Sequence, residues 1–169
     1  MDRLDAALLL ARLVVGLTLL AHGLNHAFGG GKLPGAARWF GSLGLRPPMM
    51  HAVFSAVFEV LGGAGLALGF LTPLAAAAAV GTMSVAIIVA HRKNGFWNVK
   101  DGFEYPLMLA TVAVVVAIAG PGVASVDHGL DTVITGWLGA GIAVVGGLGG
   151  TALLLGTSWR PGSIAKAGA

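Results

Sequence analysis

Apolar residues in this chain arrive in long runs broken only by occasional polar side chains. The runs extend from Ala6 to Phe28, Met50 to Phe70, Leu74 to His91, Tyr105 to Ala119 and Val133 to Gly156. About twenty such residues carry a helix across ~30 Å of hydrocarbon. The pattern therefore predicts five transmembrane helices and an all-α membrane protein. Trp137 and Trp159 bracket the fifth run at roughly 33 Å by helical rise, the separation of two interfacial aromatic belts. The opening, "MDRLDAALLLARLVVG", mixes acids with Arg3, keeps Arg12 inside the run and lacks a clear A-x-A site. It reads as a retained first helix and not as a cleaved leader.

The connections differ in character. "FLTP" is a tight turn that puts Pro73 at the start of the next helix, where its missing N–H costs nothing. "GGGKLPGAARWFGSLGLRPP" (29–48) is longer. It is either a flexible loop anchored by Trp39 or, over 35–45, a short interfacial helix carrying Trp39, Phe40 and Leu43 beside Arg38. "HRKNGFWNVKDGFEYP" is the other substantial loop.

Composition agrees with a bilayer as solvent. Of 169 residues, 56% are hydrophobic and 10% charged, against about 25% charged in soluble domains. The formal net charge of +3 does not point to nucleic acid, because the cations sit in loops between apolar runs. Lys32, Arg38, Arg46, Arg92, Lys93, Lys100, Arg160 and Lys166 all fall on one side of a five-span topology, with Arg3 on the other. Positive charge favours the cytoplasm, so the expected setting is a bacterial plasma membrane with the N-terminus outside and the C-terminus inside. A binding surface for an anionic ligand or partner is the competing explanation of those cations. The absence of Cys excludes dithiol redox chemistry, thiolate-held iron–sulfur clusters and c-type haem attachment.

Ionisable residues within the runs need a partner or a purpose, since each costs ~2.5–3.5 kcal/mol or more in the membrane. Arg12 and Glu59 are the clearest. On neighbouring antiparallel helices they come within reach of each other, so a buried Arg12–Glu59 ion pair is one expectation. The other is that Glu59 carries a proton beside a ligand cavity. Ala52, Ser55, Gly62, Gly63 and Leu66 share the Glu59 face, and small residues there let another backbone or a ligand approach.

His22 and His26, in "LLAHGLNHAFGGGK", are neighbours on one helix surface. They are expected to face the bundle interior near the basic end, bonded to groups such as Glu59, His91 or Glu104. Their spacing suits two ligands of one metal, but zinc usually takes a third or fourth protein ligand. His51, His91, Asp101 and Glu104 end or begin other helices at similar depth. Haem would need histidines facing across the bundle, such as His26 and His91, in a preformed pocket. Neither zinc nor haem is the expected cofactor. In the fifth run, Gly136, Gly139, Ala143, Gly146 and Gly150 recur at alternating steps of three and four. Such a seam of small residues suits close packing on a neighbouring helix, a partner protein or a second copy of the chain.

The blocks "LLLARLVVGLTLLAHGLNHAFG", "WFGSLGLRPP", "FEVLGGAGLALGFLTPLAAAAA", "HRKNGFW" and "FEYPLMLATVAVVVAIAGPGVASVD" together resemble the DoxX family, over residues 4 to about 131. The resemblance implies a compact four-helix transmembrane bundle. It marks Arg12, His22 with Gly23, Glu59 with Gly62 and Gly63, Asn94 to Phe96, and Glu104 with Tyr105 as recurring family positions. It also implies an association with membrane redox complexes, quinone metabolism and oxidative stress. The chain then divides into a four-helix domain over 1–131, an additional helix over 132–157 and a short basic tail over 158–169.

The expected function is a small integral membrane subunit of a redox assembly. It would bind quinone or another lipid-like ligand at His22, His26, Glu59, His91, Glu104 and Tyr105, or dock a soluble redox enzyme on the basic loops. If it is an enzyme, it is a quinone-linked oxidoreductase component. The alternatives are a scaffolding membrane protein without catalysis and a small transporter or lipid-handling protein.

Overall fold

The computed structural model describes residues 1–161, so Lys166 and most of the expected basic tail lie outside the described residues. The architecture is helical, with one isolated antiparallel bridge between Leu45 and Trp159 among the described residues. The elements are α1 (Arg3–Phe28), α2 (Lys32–Ser42), α3 (Pro48–Leu68), α4 (Thr72–Ala86), α5 (Glu104–Ala119), the short α6 (Val126–Gly129) and α7 (Gly136–Ser158). Beyond Ala86, α4 loosens into a π turn (Ile87–His91) and a single 3-10 turn (Arg92–Asn94). The segment 29–48 does contain a helix, α2.

Four helices are long and apolar enough to cross a membrane: α1, α3, α4 with its extension to Asn94, and α7. The fourth predicted span, α5, is shorter at 16 residues. It still runs the length of the bundle, from the 92–103 loop to the end where Val123 N–H donates to Asp5 at 3.1 Å. Large apolar side chains cover the outside, including Leu10, Leu61, Leu138, Val145 and Leu153. In water such a surface would aggregate; in lipid it is the ordinary one.

Local signals set the helix ends. Asp2 and Asp5 form a reciprocal capping box at the start of α1. Pro48 opens α3, and Gly69, with φ of 64°, closes it in the left-handed conformation that glycine adopts without strain.

α1, α3, α4 and α5 enclose a core of Val15, Leu19, Leu66, Ala76, Met83, Leu109 and Val116. Small residues bring the backbones together. A Cβ on Gly63 would lie 2.5 Å from the Leu20 nitrogen and 2.6 Å from the Gly16 oxygen, so α1 and α3 cross backbone to backbone. Gly62, one residue earlier, faces α4 instead, against Ala78.

α7 packs along α4 and α5 of its own chain. Its buried strip is Gly139, Ala140, Ala143, Gly147 and Thr151. This shifts the predicted seam: Gly139 and Ala143 belong to it, but a Cβ on Gly136 or Gly150 would meet open space. The strip advances by four residues at a time, from Ala117 of α5 at Gly139 to the α4 backbone at Gly147 and Thr151; Thr151 donates to the Gly81 carbonyl at 3.1 Å. The far end of α7 is tied to the α2–α3 loop. Trp159 Nε1 donates to the Leu43 carbonyl at 2.9 Å, and Arg46 N–H to the Ser158 carbonyl at 2.9 Å. Trp159 is thus a packing anchor, whereas Trp137 is the exposed aromatic of the pair.

Candidate functional site

The intramembrane charges fall into two separate clusters. The first lies at the end of the bundle that holds the N-terminus. Arg12 is fully buried and donates to the last turn of α3, to the Ala67 carbonyl at 3.0 Å and the Leu66 carbonyl at 3.5 Å. Its other terminal nitrogen reaches the Ala124 carbonyl at 2.7 Å. Asp127, also buried, accepts from Leu71 N–H at 2.8 Å, Thr72 N–H at 2.9 Å and the Thr72 hydroxyl at 2.7 Å.

A helix leaves its last carbonyls and first N–H groups without partners. Arg12 satisfies carbonyls at the end of α3, and Asp127 satisfies N–H groups at the start of α4. Between them Leu71 is held at φ of 46°, a costly conformation for a residue with a side chain. The two charges therefore clasp the α3–α4 turn from both sides.

This arrangement corrects the expected Arg12–Glu59 ion pair. Gly16 of α1 packs against Gly63 and Ala67, whereas Gly23 packs against Ala56 and Glu59. That register sets Arg12 about 16 Å along α1 from the level of Glu59. The guanidinium also extends away from Glu59, toward the helix ends.

Glu59 belongs to the second cluster. It is 6% exposed. Its Oε1 accepts from the Ser55 hydroxyl at 2.5 Å and lies 3.7 Å from His26 Nε2. Its Oε2 is buried with no hydrogen-bond partner. Ser55 and Glu59 meet because they lie one turn apart on α3. His26 comes from the last turn of α1, where Gly29 ends the helix, and packs on Phe40 of α2 at 5.8 Å between ring centres.

These groups line a cavity of about 1030 Å³. It brings His22, His26, Glu59, His91 and Tyr105 onto one wall system, together with His51 and Asp101. Most of the remaining lining is apolar. His22 is exposed beside Tyr105 at 6.1 Å between ring centres, at the α1–α5 edge and not deep in the bundle. His91 Nδ1 is 2.9 Å from the Asp101 carbonyl, and His51 Nε2 is 3.3 Å from the Arg46 carbonyl. Each of these two imidazoles thus holds a neighbouring loop while facing the cavity.

Glu104 does not line the cavity. Its carboxylate turns into the 92–103 loop and accepts from Asn98 N–H at 2.9 Å. Among the described residues, no three His, Asp or Glu side chains converge as a metal site would require. His26 also lines a second, smaller cavity of about 340 Å³. That cavity is bounded by Asn25, Gly29, Gly30, Gly31, Lys32 and Trp39. One imidazole is thus common to both walls.

Sequence reasoning missed Asp127 and Thr72, and it placed Ser55 on the Glu59 face without seeing the hydrogen bond between them. Asp127 had a signal: it is an acid in a loop free of Lys and Arg, at the end of the block "GPGVASVD". Ser55 was legible as a small residue one turn before Glu59. Nothing local to Thr72 pointed to its role, since its partner is 55 residues away.

Comparison with known proteins places this arrangement in context. The DoxX family model matches residues 7–92, a stretch that contains Arg12, His22, His26, Glu59 and His91. Inner membrane protein YphA of Escherichia coli (strain K12) is 31% identical over 130 residues, covering 72% of this chain and 88% of that protein. No solved structure matches the chain.

Proposed function

The chain belongs to the DoxX family, and from that premise we propose that this small multi-pass membrane protein binds a quinone, or a lipid-like molecule of similar polarity, at Glu59. The observation that carries the reading is the Glu59 carboxyl, buried at a large apolar cavity with Oε2 unpartnered. A buried polar atom without a partner costs about 1–3 kcal/mol. A ligand oxygen at that position removes the cost. Ligand sites of this kind are apolar with a few convergent polar groups, and Glu59, Ser55, His26 and Tyr105 supply them here.

A quinone exchanges protons as it exchanges electrons. Glu59 holds or releases a proton at its carboxyl oxygens. His26 stands between Glu59 and the smaller cavity at Lys32, and a neutral imidazole accepts at one nitrogen while donating from the other. The chain's own part is thus to orient a polar head and to carry its proton to the basic face. In a redox assembly, the cations of that face are the surface for a soluble partner enzyme. The test is a lipid extract of the purified protein. Stoichiometric quinone that falls by about tenfold in Glu59→Gln, the scale of a hydrogen bond to a charged group, is the expected result. A wild type that neither retains nor binds quinone would overturn the reading in favour of a scaffold.

The proposed setting is the bacterial plasma membrane with the basic face in the cytoplasm, in accord with the positive-inside rule. Lys32, Arg38, Arg46, Arg92, Lys93, Lys100 and Arg160 occupy that face. A reporter fused after Ala169 should then be cytoplasmic and one inserted near Asp127 external. Swapped signals would invert the assignment.

A further inference from the structure

The cavity is larger than a polar head requires. Pockets that take whole drug-sized ligands span about 300–1,000 Å³, and this one reaches about 1030 Å³. The surplus lies away from Glu59. Past Ser55 the space continues into a cleft between α3 and α7, floored by α4. Phe54 and Phe58 of α3 form one wall, and Gly150 and Leu153 of α7 form the other. Ala78 and Gly81 are its floor. Phe54, Phe58, Gly150 and Leu153 are also exposed, so the cleft opens on the lipid-facing surface.

The cleft is poor in free hydrogen-bond donors, since its threonine hydroxyls donate to carbonyls of their own helices. The Thr82 hydroxyl is spent on the Ala78 carbonyl at 2.8 Å, and the Thr151 hydroxyl on the Gly147 carbonyl at 2.9 Å. Small residues on floor and wall leave a channel with two phenyl rings along one side. Its occupant is therefore an apolar chain and not a second polar group.

We infer that the α3–α7 cleft seats the alkyl or isoprenoid tail of the ligand whose head meets Glu59, and that this ligand enters sideways from the bilayer. The inference rests on the head-group reading above. It gives α7 a role outside the span matched by the family model: one wall of a ligand site.

The experiment uses the full chain in nanodiscs and a benzoquinone whose decyl tail ends in a diazirine. After irradiation, adducts are mapped by mass spectrometry. Adducts on Phe54, Phe58 or the 150–154 segment are expected. They should fall under excess tail-free benzoquinone, and by about tenfold in Glu59→Gln, as the loss of a hydrogen bond to a charged group predicts. Gly150→Trp, whose side chain starts from open space, should fill the cleft and remove these adducts. Competed adducts elsewhere, for example on Leu24 or Tyr105 at the α1–α5 edge, would overturn the tail assignment and leave the head site standing. Labelling that tail-free benzoquinone does not compete would overturn the head-group reading and this inference with it. The wild-type map decides between these outcomes even if Gly150→Trp does not fold.

Discussion

Two buried acids in this molecule have opposite circumstances. Asp127 accepts from two backbone N–H groups and the hydroxyls of Thr72 and Thr132, in a turn that it shares with the carbonyl-bound Arg12. Glu59 has one hydroxyl donor, an imidazole at 3.7 Å and an oxygen with no partner at all. Asp127 is walled in by helix ends, whereas Glu59 faces open volume. Saturation by the protein's own groups marks a structural charge. An oxygen left over beside a cavity marks one available to something else. The clasp is not perfect, since Arg12 Nε also lacks a partner, but its terminal nitrogens are committed to carbonyls.

The comparison breaks most easily at Asp127. Asp127→Ala would orphan the Leu71 and Thr72 donors and leave Arg12 buried without a neighbouring anion. A loss of about 3–5 kcal/mol is expected, from buried donors left without their acceptor at ~1–3 kcal/mol each. The measurement is thermal unfolding in detergent, and an unchanged midpoint would show that Arg12 is content with its carbonyls alone. Next in size is the α1–α3 crossing, on which both clusters depend for their separation. Gly63→Val forces side-chain atoms into the Leu20 backbone and should cost about 1–3 kcal/mol by overpacking.

Glu59→Gln should then behave unlike Asp127→Ala. Stability should change by about 0.5 kcal/mol or less, because the amide oxygen can keep the Ser55 hydrogen bond and Oε2 has no bond to lose. Combining Glu59→Gln with Arg12→Gln should give additive effects within about 0.5 kcal/mol, whereas Arg12→Gln with Asp127→Asn should not. Strong coupling of Arg12 to Glu59 would reinstate the pair that the structure rejects. The smallest expected difference separates the two histidines. His26→Phe should lower quinone retention by about tenfold, the worth of a contact to a charged group, with the unfolding midpoint little changed. His22→Phe, on an exposed ring beside Tyr105, should leave retention near the wild-type value. Equal effects would mean that the HxxxH spacing acts as a unit after all.

Much of this protein was settled by local chemistry that the chain carries in its order. Runs of apolar residues long enough for a bilayer allow only helices, because lipid offers no partner for a free N–H or C=O. The Asp2 box, Pro48, Pro73 and Gly69 then place their ends. That Arg12 and Glu59 would each be buried followed as well, since they interrupt such runs. Which group answered which charge did not follow. Depth along a helix is counted in steps of 1.5 Å, but the register between two helices depends on where Gly16, Gly23 and Gly63 let the backbones meet. A shift of a few residues exchanged Glu59 for the Leu66 and Ala67 carbonyls as Arg12's partners. The glycines of α7 posed the same difficulty. A helix so rich in glycine carries several strips of small residues, and only the neighbour it finds decides which is buried. Here α5 took Gly139 and α4 took Gly147 and Thr151, leaving Gly150 to face the cleft. Helices are local and were written in the sequence, whereas contacts between them follow from close packing of surfaces far apart in the chain.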